Sequence, residues 1–467
     1  MSSPALGFSH LLCTNDPLNS NVKQRARLQV ATLKKRLDDL RLLRRQIESE
    51  VEEYHLLLSP WRDMPVEIIG AIFKFVIPPV IAARAKDLGN LRLVCKKWRD
   101  VADLTHQLWS GLEVNVSDRG MSYEKLSSWL NKAGDLRRTL AVRGDSHILG
   151  QVCVPVHPAL CRILTQGPTV DTLKISCPCA VCFERFTQEI QSRAAQEEIP
   201  SRWHSITSLI LSFEHDRLPE RTPPIFPSSL KSLALTLRDR FLEPWRPDGM
   251  IMGFIHPAVF EQLIDFSYSS RGSSLRSILP GVRHCVNAEV LTILGGHEHP
   301  LLRQGYDEET IHLPKLKTLR LGGSCPSIIP LALNTIQAPN LVHLDVDLGH
   351  GEYNCRAGDD LVLPSTIPPA NLACRASLKQ LRIRSAVVPY PDVVLRIVMN
   401  LPSLVHLILD DTTVNRNLGL RNLSMEDRED HVPPPLDGWP RIEVLELLER
   451  SKEHFANSRI MELLVKS

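Results

Sequence analysis

The chain has 467 residues, 43% of them apolar and 23% charged, with a formal net charge of +2. That is more than one ordinary domain and enough for a large core, and the composition excludes a disordered chain. The near-balance of charge gives no electrostatic footprint for nucleic acid or an anionic membrane surface.

Residues 1–22 lack periodicity and carry Pro4, Asn15, Asp16 and Pro17, the pattern of a flexible leader. Residues 23–59 predict one amphipathic, coiled-coil-like helix. Ala26, Val30, Leu33, Leu37, Leu40, Arg44, Ile47, Val51, Tyr54 and Leu58 follow alternating steps of three and four, with Arg44 the one violation. Its charges are segregated: Lys34, Lys35, Arg36, Arg41, Arg44 and Arg45 precede Glu48, Glu50, Glu52 and Glu53. Basic residues at the start oppose the helix dipole, so the helix needs a partner surface. That surface is either the protein's own body or a second copy, whose antiparallel docking sets basic half against acidic half.

Residues 60–112 predict short helices. Pro65 suits a helix start and Glu67 its first turn. Ile68, Ile69, Ile72, Phe73 and Val76 follow as one apolar face, and Pro78-Pro79 stops the helix. A second stripe takes Leu88, Leu91, Val94, Cys95, Trp98, Val101 and Ala102, with Val80 to Gly89 as an irregular interval. About fifty residues of short helix are marginal alone and tend to bury remaining apolar surface in a partner. Met64, Pro65, Glu67, Ile68, Ile72, Phe73, Leu91, Val94, Cys95, Trp98, Arg99, Leu108 and Trp109 stand in an order that resembles the F-box motif. The resemblance implies docking on the Skp-type adaptor of an SCF ubiquitin ligase, with the cullin and ring-finger subunits beyond. The adaptor-binding residues so implied are Met64, Pro65, Glu67, Ile68, Ile72, Phe73, Leu91, Val94, Cys95, Trp98, Leu108 and Trp109.

Residues 113–467 repeat an L-x-x-L-x-L phrase, often after Pro or Ser. Copies include Val170-Leu173-Ile175, Ile206-Leu209-Leu211, Leu230-Leu233-Leu235, Leu316-Leu319-Leu321 and Leu341-Leu344-Val346. Leu378-Leu381-Ile383, Leu404-Leu407-Leu409 and Ile442-Leu445-Leu447 follow, with weaker copies near Leu263 and Leu291. Central leucines lie roughly 24 to 38 residues apart, which overlaps leucine-rich repeats. Alternate leucines of each short parallel strand then point inward and stack on the next unit. Tyr390 to Met399 reads as a returning helix, Trp129-Leu130 followed by Leu140 and Val142 as the first irregular turn of the body after residue 112, and Met425 to Trp439 as a loop. The Asn or Cys usual after the third apolar position is replaced by Glu214, Ser324 and Thr412, so the turns need other partners.

The expected fold is therefore α/β. A long helix and an all-α F-box precede an irregular leucine-rich-repeat solenoid with a parallel β-sheet, a layout similar to fungal F-box proteins. Outward strand positions form the expected target-binding face: Arg320, Asp345, Asp347, Arg382, Arg384, His406 and Glu446, with His343 and Asp410 beside them. Asp345 and Asp347 are within reach of Arg382 and Arg384 on the next strand, so ordinary cross-strand pairs are the competing account.

Cys177, Cys179 and Cys182, with Cys153, Cys161, His157 and His204 near in sequence, are the best metal candidates, yet no second paired motif follows. Ordinary buried thiols are expected there, and a loop at Gly295-Gly296-His297-Glu298-His299. No GxxxxGK[ST], GxSxG or HExxH occurs, and pairs such as Asp410-Asp411 or Asp359-Asp360 are common on surfaces. No metal, cofactor or catalytic residue is expected. The expected function is a substrate-recognition adaptor of an SCF-type ligase; the alternative is an F-box and repeat scaffold outside ubiquitination. Scattered cysteines and no signal-type leader predict the cytoplasm or nucleus, and Ile68 to Ala83 is too interrupted to span a bilayer.

Overall fold

The computed structural model describes residues 17, 19–77, 84–116, 120–144, 157–197, 201–215, 224–237, 255–270, 278–295, 310–322, 328–347, 376–385, 387–388, 397–398, 400–414, 442–448 and 451. These fall into two compact units, Met1–Ile72 and Phe73–Ser467.

The first unit holds α1 (Ser20–Leu57), a single helix of 38 residues. Asn19 caps it, its side chain accepting the Asn21 N–H at 3.1 Å, and the Leu58 N–H closes the far end on the Tyr54 carbonyl at 2.9 Å. The expected seam lies in water: Val30, Leu33, Leu37, Leu40, Ile47, Val51, Tyr54 and Leu58 are 47–79% exposed. No surface among the described residues covers that stripe. The next helix, α2 (Val66–Val76), crosses from one unit into the other.

The second unit continues with α3 (Arg84–Val94), α4 (Lys96–Leu104) and one 3-10 turn, His106–Leu108. Of the irregular interval expected at Val80 to Gly89, residues 84–89 are helical, and 80–83 lie outside the described residues. The strands then follow: β1 (Gly111–Asn115), β2 (Thr139–Arg143), β3 (Thr172–Cys179), β4 (Ser208–His215), β5 (Ser232–Leu237), β6 (Asp265–Ser270) and β7 (Val290–Leu294). After β8 (Ile311–His312) come β9 (Thr318–Gly322), β10 (Ile336–Gln337), β11 (His343–Asp347), β12 (Gln380–Arg384), β13 (Val387–Val388), β14 (His406–Asp410), β15 (Thr413–Val414) and β16 (Val444–Leu448).

Among the described residues one 12-stranded sheet forms, in the order β1-β2-β3-β4-β5-β6-β7-β9-β11-β12-β14-β16, every neighbouring pair parallel. Each leucine phrase is one strand, and the registers never slip. Leu140, Leu173, Leu209, Leu233, Phe266, Leu291, Leu319, Leu344, Leu381 and Leu407 stand side by side as one buried row. Val142, Ile175, Leu211, Leu235, Tyr268, Ile293, Leu321, Val346, Ile383 and Leu409 form a second row two residues on. Period-two alternation places both rows on one face. Parallel neighbours need long crossovers. In the early ones, α5 (Tyr123–Asn131), α6 (Pro158–Gln166) and α7 (Ala180–Glu197) send Leu130, Leu160, Phe183 and Ile190 into the core shared with the strand leucines.

Two recurring hydrogen-bond patterns replace the missing turn residues. At strand entry, consecutive N–H groups converge on the carbonyl just before the preceding strand of the sheet: Thr207 and Ser208 on Asp171, Lys231 and Ser232 on Thr207, Lys379 and Gln380 on Val342. The Ser or Asn just before a phrase's first apolar residue reaches back likewise. Asn287 donates to the Glu261 carbonyl (2.6 Å), Asn340 to Pro314 (2.8 Å), Ser377 to Pro339 (2.7 Å) and Ser403 to Ala376 (2.8 Å). Thr412 is fully buried, and its N–H donates to Ser451 Oγ at 2.7 Å.

Trp129 and Leu130 lie on α5, and Leu140 and Val142 follow on β2. Of Tyr390 to Met399, Ile397 and Val398 are helical; the rest lies outside the described residues, as do Met425 to Trp439, Gly296 to His299, Asp359-Asp360, Cys153, Ser324 and nearly all of the leader.

Candidate functional site

α2 begins one residue later than the sequence suggests. Pro65 occupies the cap, its carbonyl accepting the Ile68 and Ile69 N–H groups, each at 3.2 Å, and Glu67 lies in the first turn. The single apolar face expected on this helix is two faces. Ile69, Gly70, Phe73 and Ile77 are buried, whereas Ile68, Phe75 and Val76 are exposed and Ile72 is half-buried. Phe75 is 92% exposed, an unusual position for a phenyl ring.

The second expected stripe is interrupted at Cys95. Its backbone is extended (φ −161°, ψ 171°), and its Sγ accepts the Trp98 N–H at 3.5 Å, so it caps α4 and separates it from α3. Leu88, Val101 and Ala102 are buried, Leu91 and Trp98 are half-buried, and Leu93, Val94 and Leu104 are exposed at 77%, 59% and 70%.

Of the twelve residues expected to touch an adaptor, three are interior, which corrects that expectation for them. Phe73 packs edge-to-face on Trp98 with ring centroids 5.1 Å apart, and Leu108 is buried. Trp109 is buried too: its indole N–H donates to the Ala102 carbonyl at 2.8 Å, its ring meets Trp129 at 4.6 Å, and Lys132 Nζ sits 4.1 Å over it. Lys132 and Arg92 both bond Asp103, at 2.7 and 3.3 Å, so these residues lock the helices to the start of the sheet unit. Pro65, Glu67, Ile68, Val94 and Cys95 are exposed, and Met64, Ile72, Leu91 and Trp98 are half-buried. Sequence reasoning missed Phe75, Leu93 and Leu104. The signal for Phe75 was its spacing of seven from Ile68, which puts both on one helical side.

On the sheet face opposite the leucine rows, register brings Arg320, Asp345, Arg382 and Glu446 into one row, with Ile408 between the last two. Arg384 makes a two-pronged pair with Asp345, and Arg382 turns the other way to Asp410. The Arg384–Asp345 pair joins β11 to β12, one of the cross-strand pairs expected of these four residues, whereas Arg382 reaches β14 instead. Burial lowers the Arg384 pKa, and the Asp345 hydrogen bond and charge, with Asp347 and Asp410, outweigh it, so the pKa is raised. His406 bonds Glu446 at 3.0 Å and His343 bonds Gln380 at 2.8 Å.

The cysteine region is strand and helix. Cys177 is buried on β3, Cys179 ends that strand, and Cys182 is buried in the first turn of α7. His157 caps α6 by accepting the Ala159 N–H at 3.2 Å, and His204 Nδ1 accepts from the Ser228 N–H at 3.3 Å. Burial pushes the Cys161 and Cys285 thiols up to about 12, which keeps both protonated and poor as ligands or nucleophiles. Among the described residues no three His, Cys, Asp or Glu side chains are grouped to hold a metal ion, and no helix is long and apolar enough to cross a membrane.

Comparison with protein families matches residues 61–113 to the F-box-like model. That span takes in α2, α3, α4 and the 3-10 turn, the same helices that carry the exposed apolar side chains. Domains of this kind are protein-interaction modules. No curated protein matches the chain.

Proposed function

We propose that the protein is the substrate receptor of an SCF-type ubiquitin ligase. Its F-box-like segment, residues 60–112, docks on a Skp-type adaptor and through it on the cullin core. The observation that carries this reading is the set of large apolar side chains left in water on the short helices of that segment: Ile68, Phe75, Val76, Leu93, Val94 and Leu104. Covering such side chains favours association by about 25 cal/mol per Å² of apolar surface, before the costs of binding.

Residues 113–467 serve as an irregular leucine-rich-repeat solenoid that presents a protein target. Support comes from strands paired in sequence order and from leucine rows in continuous register. The target meets the outward face around Arg320, Asp345, Asp347, Arg382, Arg384, His406 and Glu446. The protein itself supplies no catalytic group; ubiquitin transfer belongs to the recruited conjugating enzyme, in the cytoplasm or nucleus.

The test is co-purification with a Skp-type adaptor. Ile68→Asp and Phe75→Asp each place a carboxylate where an apolar contact forms, and each abolishes capture while the melting temperature stays within a few degrees. Failure of the wild-type chain to bind any Skp-type adaptor sinks the proposal. Adaptor binding without ubiquitin chains on a captured target in a reconstituted reaction leaves a scaffold instead of a receptor.

A further inference from the structure

The exposed seam of α1 has a symmetry that singles out its partner. Heptad assignment puts Val30, Leu37, Arg44 and Val51 at a positions, and Leu33, Leu40, Ile47 and Tyr54 at d positions. Reversing the helix about the level of Leu42 maps every a onto a d: Val30 meets Tyr54, Leu33 meets Val51, Leu37 meets Ile47 and Leu40 meets Arg44. Layers of a against d are those an antiparallel two-helix coiled coil requires. We infer that α1 is a self-complementary dimerisation helix, and that its occupant is α1 of a second copy of this chain, running antiparallel.

The flanking charges favour the same register. Antiparallel helices oppose e to e and g to g, which sets Lys34 against Glu48 and Arg36 against Glu50, each twice by symmetry. Leu43 meets its own mate at the centre. Arg44, the one polar residue in the seam, is bound by Glu48 of its own helix at 2.7 Å, so its stem packs beside Leu40 while its head group stays at the rim. The like-charge contact is Arg41 against its mate, and each is held by Asp38 of its own helix at 3.2 Å. A parallel pair would instead oppose Arg36 to Arg41 and stack Arg44 on Arg44 inside the seam.

This inference is independent of the adaptor reading. Sedimentation of the full chain over a dilution series should show a dimer that dissociates to monomer. Zero-length carboxyl–amine coupling should join Lys34 to Glu48 in the dimer alone, because within one helix these residues lie about 21 Å apart. Glu48→Lys with Glu50→Lys should abolish the dimer and leave the far-UV spectrum of the sheet unit unchanged. Adding Lys34→Glu and Arg36→Glu to that variant should restore the dimer. A monomer at every concentration, a dimer indifferent to the charge reversal, or couplings that join like halves of the helix each overturn it.

Discussion

Ile68 and Ile69 are chemically the same residue one position apart, yet one is half exposed and the other fully buried. A helix turns by about 100° per residue, so that single step decides which isoleucine holds the fold and which is free to meet a partner. Phe73 and Phe75 differ in the same way, with 1% and 92% exposure. Phe73→Ala should therefore cost about 3–5 kcal/mol in denaturant unfolding, and Phe75→Ala no more than about 0.5 kcal/mol. Equal losses for the two would mean that the Phe75 ring is packed in solution. Composition and spacing announced that α2 is apolar, but not how its apolar residues divide, because six of its residues from Ile68 onward are large hydrophobes spread around most of its circumference. The same limit explains Trp109. Its place in a recognisable motif said nothing of the Ala102 carbonyl and Lys132 side chain that draw it inside.

Elements, rather than residues, account for how the chain leaves one strand for the next. Gly295 follows β7, Ser385 follows β12 and Asp411 follows β14, and all three have positive φ, at 89°, 51° and 50°. The N–H of Gly295 donates to Gly322 at 2.6 Å and that of Ser385 to Asp410 at 2.9 Å, so the turn is pinned to the end of the neighbouring strand. A Cβ on Gly295 would lie 1.8 Å from the Ser270 carbonyl oxygen. Gly295→Ala should cost on the order of 1–3 kcal/mol, read as a lowered denaturant midpoint. Gly89, on α3 with nothing within 4 Å of such a Cβ, is the control: Gly89→Ala should stabilise by about 0.5–1 kcal/mol. The strands themselves were legible, because three apolar residues at L-x-x-L-x-L spacing define both where a strand lies and which face it buries. Their turn chemistry was less so. Polar side chains that reach back to an earlier carbonyl stand before the first apolar position, at Asn287, Asn340, Ser377 and Ser403, where the apolar spacing does not point to them. Nor does alternation tell an arginine which of two flanking strands to join, as Arg382 and Arg384 illustrate by going opposite ways.

At the scale of the molecule, stability depends on continuous apolar rows that admit few polar groups, and the buried thiols report on that interior. Cys161 and Cys285 move from an ordinary 9.0 to about 12, in each case chiefly through loss of water around the thiolate. Their folded pKa lies above the unfolded one, so the native state holds its protons when the unfolded chain has released them. The associated stability is complete below about pH 9 and declines as pH rises towards 12. By pH 10 each thiol should have removed on the order of 1 kcal/mol, giving a steady fall in denaturant midpoint between pH 9 and pH 11 at constant ionic strength. A flat profile over that interval would mean that the two sites admit water.

The strand order has a further bearing on biosynthesis. Because each described strand of the 12-stranded sheet after β1 pairs with the strand of that sheet that precedes it in sequence, each one leaves the ribosome after its docking edge has already been made. Assembly can advance at the pace of translation, with no strand held in wait for a distant mate. A nascent chain of this kind exposes one growing edge at a time, which limits the unpaired surface offered to neighbouring polypeptides.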